Sequence, residues 1–417
     1  MPRLTPYCCV IGLGYIGLPT AALVSSRDIS VLGVDVNASV VDNINAGETH
    51  IVEPDLDGLV QRSVRLGLLR ASLRAEPAKV FLIAVPTPID DEKRPDLTAV
   101  HAAADSITDV LKPGDLIILE STSPVGTTDG LAARLRAARP DLAIAEGVHN
   151  DDMVSVAYCP ERVLPGRIMQ ELVANDRCVG GITPLCTKRA LAFYSRFVNG
   201  ACIATTARVA ELVKLSENAF RDLNIAFANT LSMVSDRHEI SVWEVIELAN
   251  RHPRVNILKP GPGVGGHCIA VDPWFIVHAA PEEAGLIRMG REVNDAKPHY
   301  VLDKVRRALE TLPPDTKIAC LGLAFKADID DLRESPALGI SQLLASEYGK
   351  RVLVVEPYVQ KLPTGLAADG AQLVTLDEAL DQSGLLLVLV DHRQFKAVAR
   401  PRYASKTVID TRGIWQG

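Results

Sequence analysis

The chain has 417 residues and a mass of 44.9 kDa, enough for two or three domains at about 150 residues each. Its composition, 47% hydrophobic and 23% charged, excludes a disordered polymer, and its 29 glycines follow no collagen-like period. A net charge of −7 argues against nucleic acid or an anionic membrane as the main partner.

The first 130 residues alternate short apolar runs with helical patterns. The runs Tyr7–Ile11, Val31–Val34, Val80–Val85 and Leu116–Leu119 lack in/out alternation. They therefore read as parallel strands buried on both faces, linked as βαβ units. Thr206 to His238 contains no Gly or Pro and reads as one long helix. Its apolar positions (Val209, Leu212, Val213, Ala219, Phe220, Leu223, Phe227, Leu231, Val234) cover much of the circumference. Such a helix is expected to be largely buried, between domains or subunits. Ser241 and Glu244 form a capping-box pattern that opens a further helix to about Ala249.

From Lys317 the βαβ pattern returns, with strands Lys317–Leu321, Arg351–Val355, Leu385–Val390 and Thr407–Ile409. Ser335–Tyr348 reads as a helix with Pro336 in its first turn. The expected fold class is α/β: two Rossmann-like, doubly wound parallel-sheet domains, residues 1–200 and 312–417, joined by a long-helix central domain, residues 201–311. The two α/β halves resemble each other only in pattern.

Eight cysteines fall at positions 8, 9, 159, 178, 186, 202, 268 and 320. None has C-x-x-C spacing, so no metal site is expected. The N-terminus lacks a secretory layout, and no apolar run approaches the ~20 residues that span a bilayer. A cytoplasmic protein with reduced thiols and no membrane association is the expectation. Seven of the thiols read as small core residues.

Gly12-Leu13-Gly14-Tyr15-Ile16-Gly17 follows a strand and opens a helix, and Asp35 closes the next strand. The glycines permit a tight turn and close approach of a pyrophosphate, which the helix N-terminus then faces. Asp35 would accept hydrogen bonds from a ribose diol and repel a 2′-phosphate, which favours NAD over NADP. The stretches Val85-Pro86-Thr87-Pro88 and Glu120 to Thr127 leave strand C-terminal ends, where such sheets place ligands. Thr87 and Thr122 are either cofactor- or sugar-facing hydroxyls or plain turn residues.

Lys259 to Asp272 reads KPGPGVGGHCIAVD. Its glycines allow close approach to a ligand, and Cys268 sits between His267 and Asp272. Cys268 is a candidate nucleophile, with a buried structural thiol as the alternative. Lys214 and Asn218, four residues apart on the long helix, can bind a developing oxyanion, hold a water, or simply lie on the surface.

These stretches together resemble the UDP-glucose/GDP-mannose dehydrogenase family over nearly the whole chain. The likeness is carried by GLGYIGLP (12–19), VPTP (85–88), ESTSPVGTT (120–128), PERVLPGR (160–167), ELVKLSENAFRDLNIAFAN (211–229), HPRVNILKPGPGVGGHCIAVDPWF (252–275) and AFKADIDDLRESPA (324–337). Within it, the loop around Cys268 is similar to the branch acting on UDP-N-acetylhexosamines. The resemblance implies oxidation of a sugar C6 hydroxyl to a carboxylate, with UDP-ManNAc favoured over UDP-GlcNAc and UDP-glucose. It implies Cys268 as nucleophile, with Lys214, Asn218 and Asp272 for proton transfer and oxyanion stabilisation, and Glu161 for hydrolysis. Arg162, Val163, Gly265, His267, Phe325, Lys326 and Arg412 would face the substrate, with Arg254 reaching across a subunit boundary. Arg333 would join Gly12, Gly14, Tyr15, Ile16, Gly17, Asp35, Thr87 and Thr122 around NAD. A homodimer or larger homo-oligomer is implied as well.

The chemistry fits the residues. Alcohol to acid needs two hydride transfers, and a thiolate holds the intermediate aldehyde until the second. A two-electron dehydrogenase of the hydroxyacid type would leave Cys268 without work, and a non-enzymatic nucleotide-sugar binder would need none of the set.

Overall fold

A computed structural model describes residues 5–146, 151–164, 166–266 and 268–415. The chain divides into two compact units, Met1–Glu217 and Asn218–Gly417.

The first unit is built on an eight-stranded sheet. Its strands are β1 (Cys8–Ile11), β2 (Val31–Val34), β3 (Leu69–Ser72), β4 (Val80–Ile83), β5 (Leu116–Leu119), β6 (Ser155–Tyr158), β7 (Arg177–Gly181) and β8 (Cys202–Thr206). They are ordered β3-β2-β1-β4-β5-β6-β7-β8, parallel throughout except where β7 runs antiparallel to β6. Alternate residues of β1 enter opposite cores: Cys8 and Val10 one, Cys9 and Ile11 the other. This two-sided burial is why the strands of the first 130 residues read as continuous apolar runs. Four strands escaped that reading. β3 carries Arg70, β7 carries Arg177 and two glycines, and β6 and β8 mix polar with apolar residues, as in Ser155-Val156-Ala157-Tyr158 and Cys202-Ile203-Ala204-Thr205-Thr206.

The second unit holds a five-stranded parallel sheet, ordered β11-β10-β9-β12-β13. Its strands are β9 (Ile318–Leu321), β10 (Val352–Val355), β11 (Gln372–Leu373), β12 (Leu385–Val388) and β13 (Thr407–Asp410). Ser335 caps the helix Pro336–Tyr348 by accepting from the Leu338 amide, and Pro336 takes the first helical position as expected.

The two sheets share more than pattern. Gly12 and Gly322 both follow the first strand with φ near +90° (90° and 97°). Each donates its amide across to the next strand, Gly12 to Val34 and Gly322 to Val355, both at 2.8 Å. The acid after that strand then accepts from the following amide: Asp35 from Leu13 at 2.9 Å, Glu356 from Leu323 at 2.7 Å. The surroundings of the acids differ. Asp35 is half-buried, whereas Glu356 is shut in by the buried His392. His392 Nδ1 accepts from the Asp328 amide at 2.9 Å, so Nε2 carries the proton and faces Glu356 at 3.2 Å. Burial alone would push the Glu356 carboxyl up, yet His392 and the backbone donors hold it below its ordinary range. The second sheet thus fills with its own side chain the position where the first leaves Asp35 partly open.

The long helix spans Ala207–Arg237, within a residue of expectation at either end. Within the single chain its buried positions, Leu215 apart, are small or polar, such as Ala210, Glu211, Asp222, Asn229 and Ser232. The large apolar residues Val209, Leu212, Phe220, Phe227 and Val234 are exposed, Phe220 to 67%. The helix after it spans Val242–Ala249, with Ser241 accepting from the Glu244 amide.

Candidate active site

The dinucleotide turn has the geometry its sequence requires. A Cβ at Gly12 would stand 2.6 Å from the Ala84 carbonyl oxygen, so only glycine fits there. At Gly14 nothing lies within 4 Å, which leaves the backbone open to a close-approaching phosphate. The helix Gly17–Ser25 begins immediately afterwards, with no side chain capping its first amides. Tyr15 is exposed and Ile16 half-buried at its mouth. These donors fit a dinucleotide pyrophosphate, and Asp35 fits the ribose beside it.

Two loops at the strand ends are tied together by a residue that sequence reasoning passed over. Ser121 Oγ accepts from the Val85 amide at 2.9 Å and donates to the Val85 carbonyl at 2.7 Å. This couples the half-buried Thr87 and Thr122 loops. Glu211, buried on the long helix, accepts from the Gly126 amide (2.6 Å) and from the Thr128 amide and hydroxyl (2.8 and 2.6 Å). It thereby caps the helix Thr127–Ala138 from more than eighty residues away.

The segment around Glu161 is held by carboxylates. Glu53 accepts from the Gly166 and Ile168 amides, and Glu171 from Leu164. Arg162 pairs with Glu217 at 2.6 Å, and Val163 packs partly buried against the core. Glu161 itself accepts from the Arg162 amide at 2.7 Å and is ion-paired to the buried Arg177 at 2.8 Å. Lys214 is only 8% exposed and has no carboxylate in ion-pair range among the described residues.

The second unit brings the cysteine loop, its acid and its amide together. The Cys268 carbonyl accepts from the Val271 and Asp272 amides (3.1 and 2.9 Å), which seats the cysteine on the helix Asp272–Ala279. Asp272, buried, accepts from the Asn218 side-chain amide. Cys268 is exposed, whereas the other seven thiols are buried or half-buried. His267 lies outside the described residues. A chain of buried hydrogen bonds anchors the start of this loop: Asn229 accepts from the Gly261 amide (2.9 Å) and donates to Asn294 (2.9 Å). Asn294 donates in turn to Asp222 (2.8 Å), which pairs with the buried Arg291 (2.6 Å).

The glycine-rich stretch has no room for side chains because two other candidates lie on it. A Cβ at Gly265 would meet the Glu334 carbonyl at 2.4 Å and Phe325 Cβ at 3.1 Å. One at Gly261 would meet Arg412 Nη1 at 2.7 Å. Phe325, Gly265 and Arg412 are therefore neighbours of the cysteine loop, as a shared ligand site requires. Arg412 is also tied to Asp391 at 3.2 Å. Lys326 is exposed with no carboxylate partner among the described residues, and Arg333 forms a fork with Asp331 (2.9 and 2.6 Å). Arg254 is exposed, on the turn after the helix Val242–Ala249, and touches none of these groups.

Comparison with known proteins adds to this geometry. The profile of the UDP-glucose/GDP-mannose dehydrogenase family, NAD binding domain, matches residues 7–198; the central-domain profile matches 208–296, and the UDP binding domain profile 319–417. An NDP-N-acetyl-D-galactosaminuronic acid dehydrogenase of Ralstonia nicotianae is 57% identical over 406 residues, 97% of this chain and 95% of that protein. A UDP-N-acetyl-D-mannosamine dehydrogenase of Yersinia pestis is 54% identical over 417 residues, 98% of each. A solved UDP-D-ManNAc dehydrogenase from Pyrococcus horikoshii superposes with a TM-score of 0.87 at 36% identity, covering 98% of this chain and 96% of that one. A UDP-N-acetyl-mannosamine dehydrogenase from Staphylococcus aureus gives 0.85 at 39% identity, covering 98% and 95%. No described helix is long and apolar enough to cross a membrane.

Proposed function

Because the chain belongs to the UDP-glucose/GDP-mannose dehydrogenase family, whose members are NAD-dependent UDP-sugar dehydrogenases, we propose that it oxidises the C6 hydroxyl of UDP-ManNAc to the carboxylate. The observation that carries this reading is 54% identity along the full chain to an enzyme named for that sugar. A second reading, a galacto-configured N-acetylhexosamine, is favoured by the 57% relative. Both relatives' names contain a nucleotide-linked N-acetylhexosamine derivative, which sets this substrate class ahead of UDP-glucose.

NAD, when bound, supplies a hydride acceptor for each of two oxidations. Gly12, Gly14, Tyr15, Ile16 and Gly17 would hold its pyrophosphate, Asp35 its ribose, and Thr87, Thr122 and Arg333 would complete the cofactor side. Asp272, or a water on it, takes the C6 hydroxyl proton. Lys214 and Asn218 stabilise the oxyanions. The Cys268 thiolate adds to the aldehyde carbon, forming a C–S bond and a hemithioacetal. Loss of the second hydride and a proton makes this a thioester. Water, activated by Glu161, breaks the C–S bond and returns the thiolate with the carboxylate product. Arg162, Val163, Gly265, His267, Phe325, Lys326 and Arg412 line the UDP-sugar. The support for this set is the low exposure of Lys214, the Asn218–Asp272 contact and the packing of Phe325 and Arg412 on the cysteine loop.

The test is product analysis with UDP-ManNAc, UDP-GalNAc, UDP-GlcNAc and UDP-glucose in parallel. We expect the highest kcat/KM with UDP-ManNAc and two NADH per sugar. One NADH per sugar would instead mark a two-electron dehydrogenase, and preference for another sugar would move the assignment to it.

We further propose a homodimer in the cytoplasm, with domains at 1–200, 201–311 and 312–417. Phe220, Phe227 and Val234 recur every seven residues along the exposed face of the long helix, the period of a helix-pairing seam. The same helix of a second copy is the simplest cover for it, and would bring Arg254 near the partner's site. Phe220→Glu with Phe227→Glu should convert a dimer mass in light scattering to a monomer mass. An unchanged mass would remove this face from the interface.

A further inference from the structure

The buried pair His392 and Glu356 has no part in the mechanism above, yet it stands where a doubly wound sheet ordinarily takes its ligand. The second unit builds outward from β9 through β10 to β11, then crosses back to β12 and β13. The crevice of such a sheet opens beyond the carboxyl end of the strand where the order turns, here β9. Glu356 follows β10 and His392 follows β12, the two neighbours of β9, and they meet across that crevice at 3.2 Å. In the first sheet the helix Gly17–Ser25 begins directly after the turn. In the second the chain runs from Leu321 to Pro336 before its helix begins, and this segment carries Phe325 and Lys326. The pair holds it from below. Glu356 Oε2 accepts from the Leu323 and Ala324 amides (2.7 and 3.1 Å), and His392 Nδ1 from the Asp328 amide (2.9 Å). Asp328 has a φ of 61°, uncommon outside glycine. Its carboxylate accepts from the Tyr358 hydroxyl (3.1 Å) and from the Arg393 amide and Nε (3.1 and 3.0 Å).

We infer that His392 and Glu356 are positioning residues for the UDP-sugar: they close the crevice of the second sheet and fix the backbone on both sides of Lys326. The inference rests on the assignment of Lys326 and Phe325 to the UDP-sugar. Burying a carboxylate and an imidazole is costly unless their polar atoms are satisfied. Plain packing would be served as well by apolar side chains of the same volume. What this pair does that apolar side chains could not is accept from three main-chain amides, two just before Lys326 and one just after it. The Lys326 ammonium is exposed and has no carboxylate partner among the described residues. Its main chain is thus ordered before any ligand arrives, while its charge stays free for a phosphate. An ordered cation binds more tightly than a floppy one because less conformational freedom is lost on binding.

The experiment is calorimetric titration of the full chain with UDP, beside kcat and KM for UDP-ManNAc. His392→Gln keeps a group that reaches Glu356 but leaves the Asp328 amide without an acceptor. His392→Asn keeps an acceptor in the place of Nδ1 and gives up Glu356. We expect His392→Gln to raise the UDP Kd and the KM for UDP-ManNAc by about tenfold, with kcat nearly unchanged. His392→Asn should recover most of that affinity. Lys326→Met should weaken UDP binding by itself, and in that background His392→Gln should cost less than about a further twofold. Tyr358→Phe removes one donor to the Asp328 carboxylate from an exposed ring. It should also raise the UDP Kd, and it keeps the test open if the His392 variants do not fold. Unchanged UDP affinity in His392→Gln, equal losses in the two His392 variants, or full additivity with Lys326→Met overturns the inference. Lys326→Met that binds UDP as tightly as the unmodified enzyme overturns the premise, the assignment of Lys326 itself, and the inference with it.

Discussion

Cys268→Ser should bind both UDP-ManNAc and NAD and yet release uronic acid at least roughly a thousandfold more slowly than the unmodified enzyme. The reason lies in the difference between the two nucleophiles. A few per cent of an ordinary thiol is ionised at neutral pH and is strongly nucleophilic, whereas an alcohol there is neither. The first hydride transfer does not involve sulfur, so one NADH per sugar can still form. On the proposed mechanism the second needs the C–S adduct. The expected signature is therefore an NADH count that falls from two to at most one, or a stable ester on the new hydroxyl visible by mass. Two NADH at near-normal rate would show that the aldehyde is oxidised as its hydrate, without a covalent step. The Cys268 main chain is seated by the Val271 and Asp272 amides and not by the thiol, so the substitution leaves the loop in place.

The second large effect concerns stability. Asp222→Ala removes the buried partner of Arg291, a side chain only 1% exposed. The guanidinium keeps the partly exposed Asp295 but loses its buried counter-charge. Stranding a buried charge in this way typically costs about 3–5 kcal/mol. For a domain of this size that is a fall in Tm of roughly 10 °C or more. The loss should reach the active site too, because Asp222 is the far end of the chain that runs through Asn294 and Asn229 to the Gly261 amide. Thermal unfolding is the measurement, and a change below about 1 kcal/mol would show that water replaces the carboxylate. The paired change Asp222→Leu with Arg291→Met removes both charges and should recover most of the stability.

How much of this was legible in the sequence follows from how local each feature is. β5 and the dinucleotide turn were readable because their information is contiguous: a run of four buried apolar residues, or glycines at fixed spacing beside Asp35. The cysteine loop was readable from its glycine content, and the structure explains that content by Phe325 and Arg412 lying on the backbone. What escaped was long-range polar pairing. Nothing near Glu211 announces that it caps a helix some eighty residues earlier, and nothing near Glu120 announces that it accepts from the Tyr194 hydroxyl. His392 and Glu356, 36 residues apart, belong to the same class. The long helix was read with its ends correct to a residue, and its large apolar residues lie exposed on the single chain. Periodicity located its large apolar residues, but burial within this chain goes to its small and polar ones.

The uneven exposure of the eight thiols also makes the chain countable. A maleimide or iodoacetamide added briefly to the native protein meets the exposed Cys268 first, ahead of the half-buried Cys178 and Cys202 and the five buried thiols. A short labelling time then gives about one label per folded chain, whereas an unfolded chain offers all eight thiols. If the proposed sugar site is right, a fluorophore on Cys268 stands beside it without the other cysteines first being stripped from the sequence.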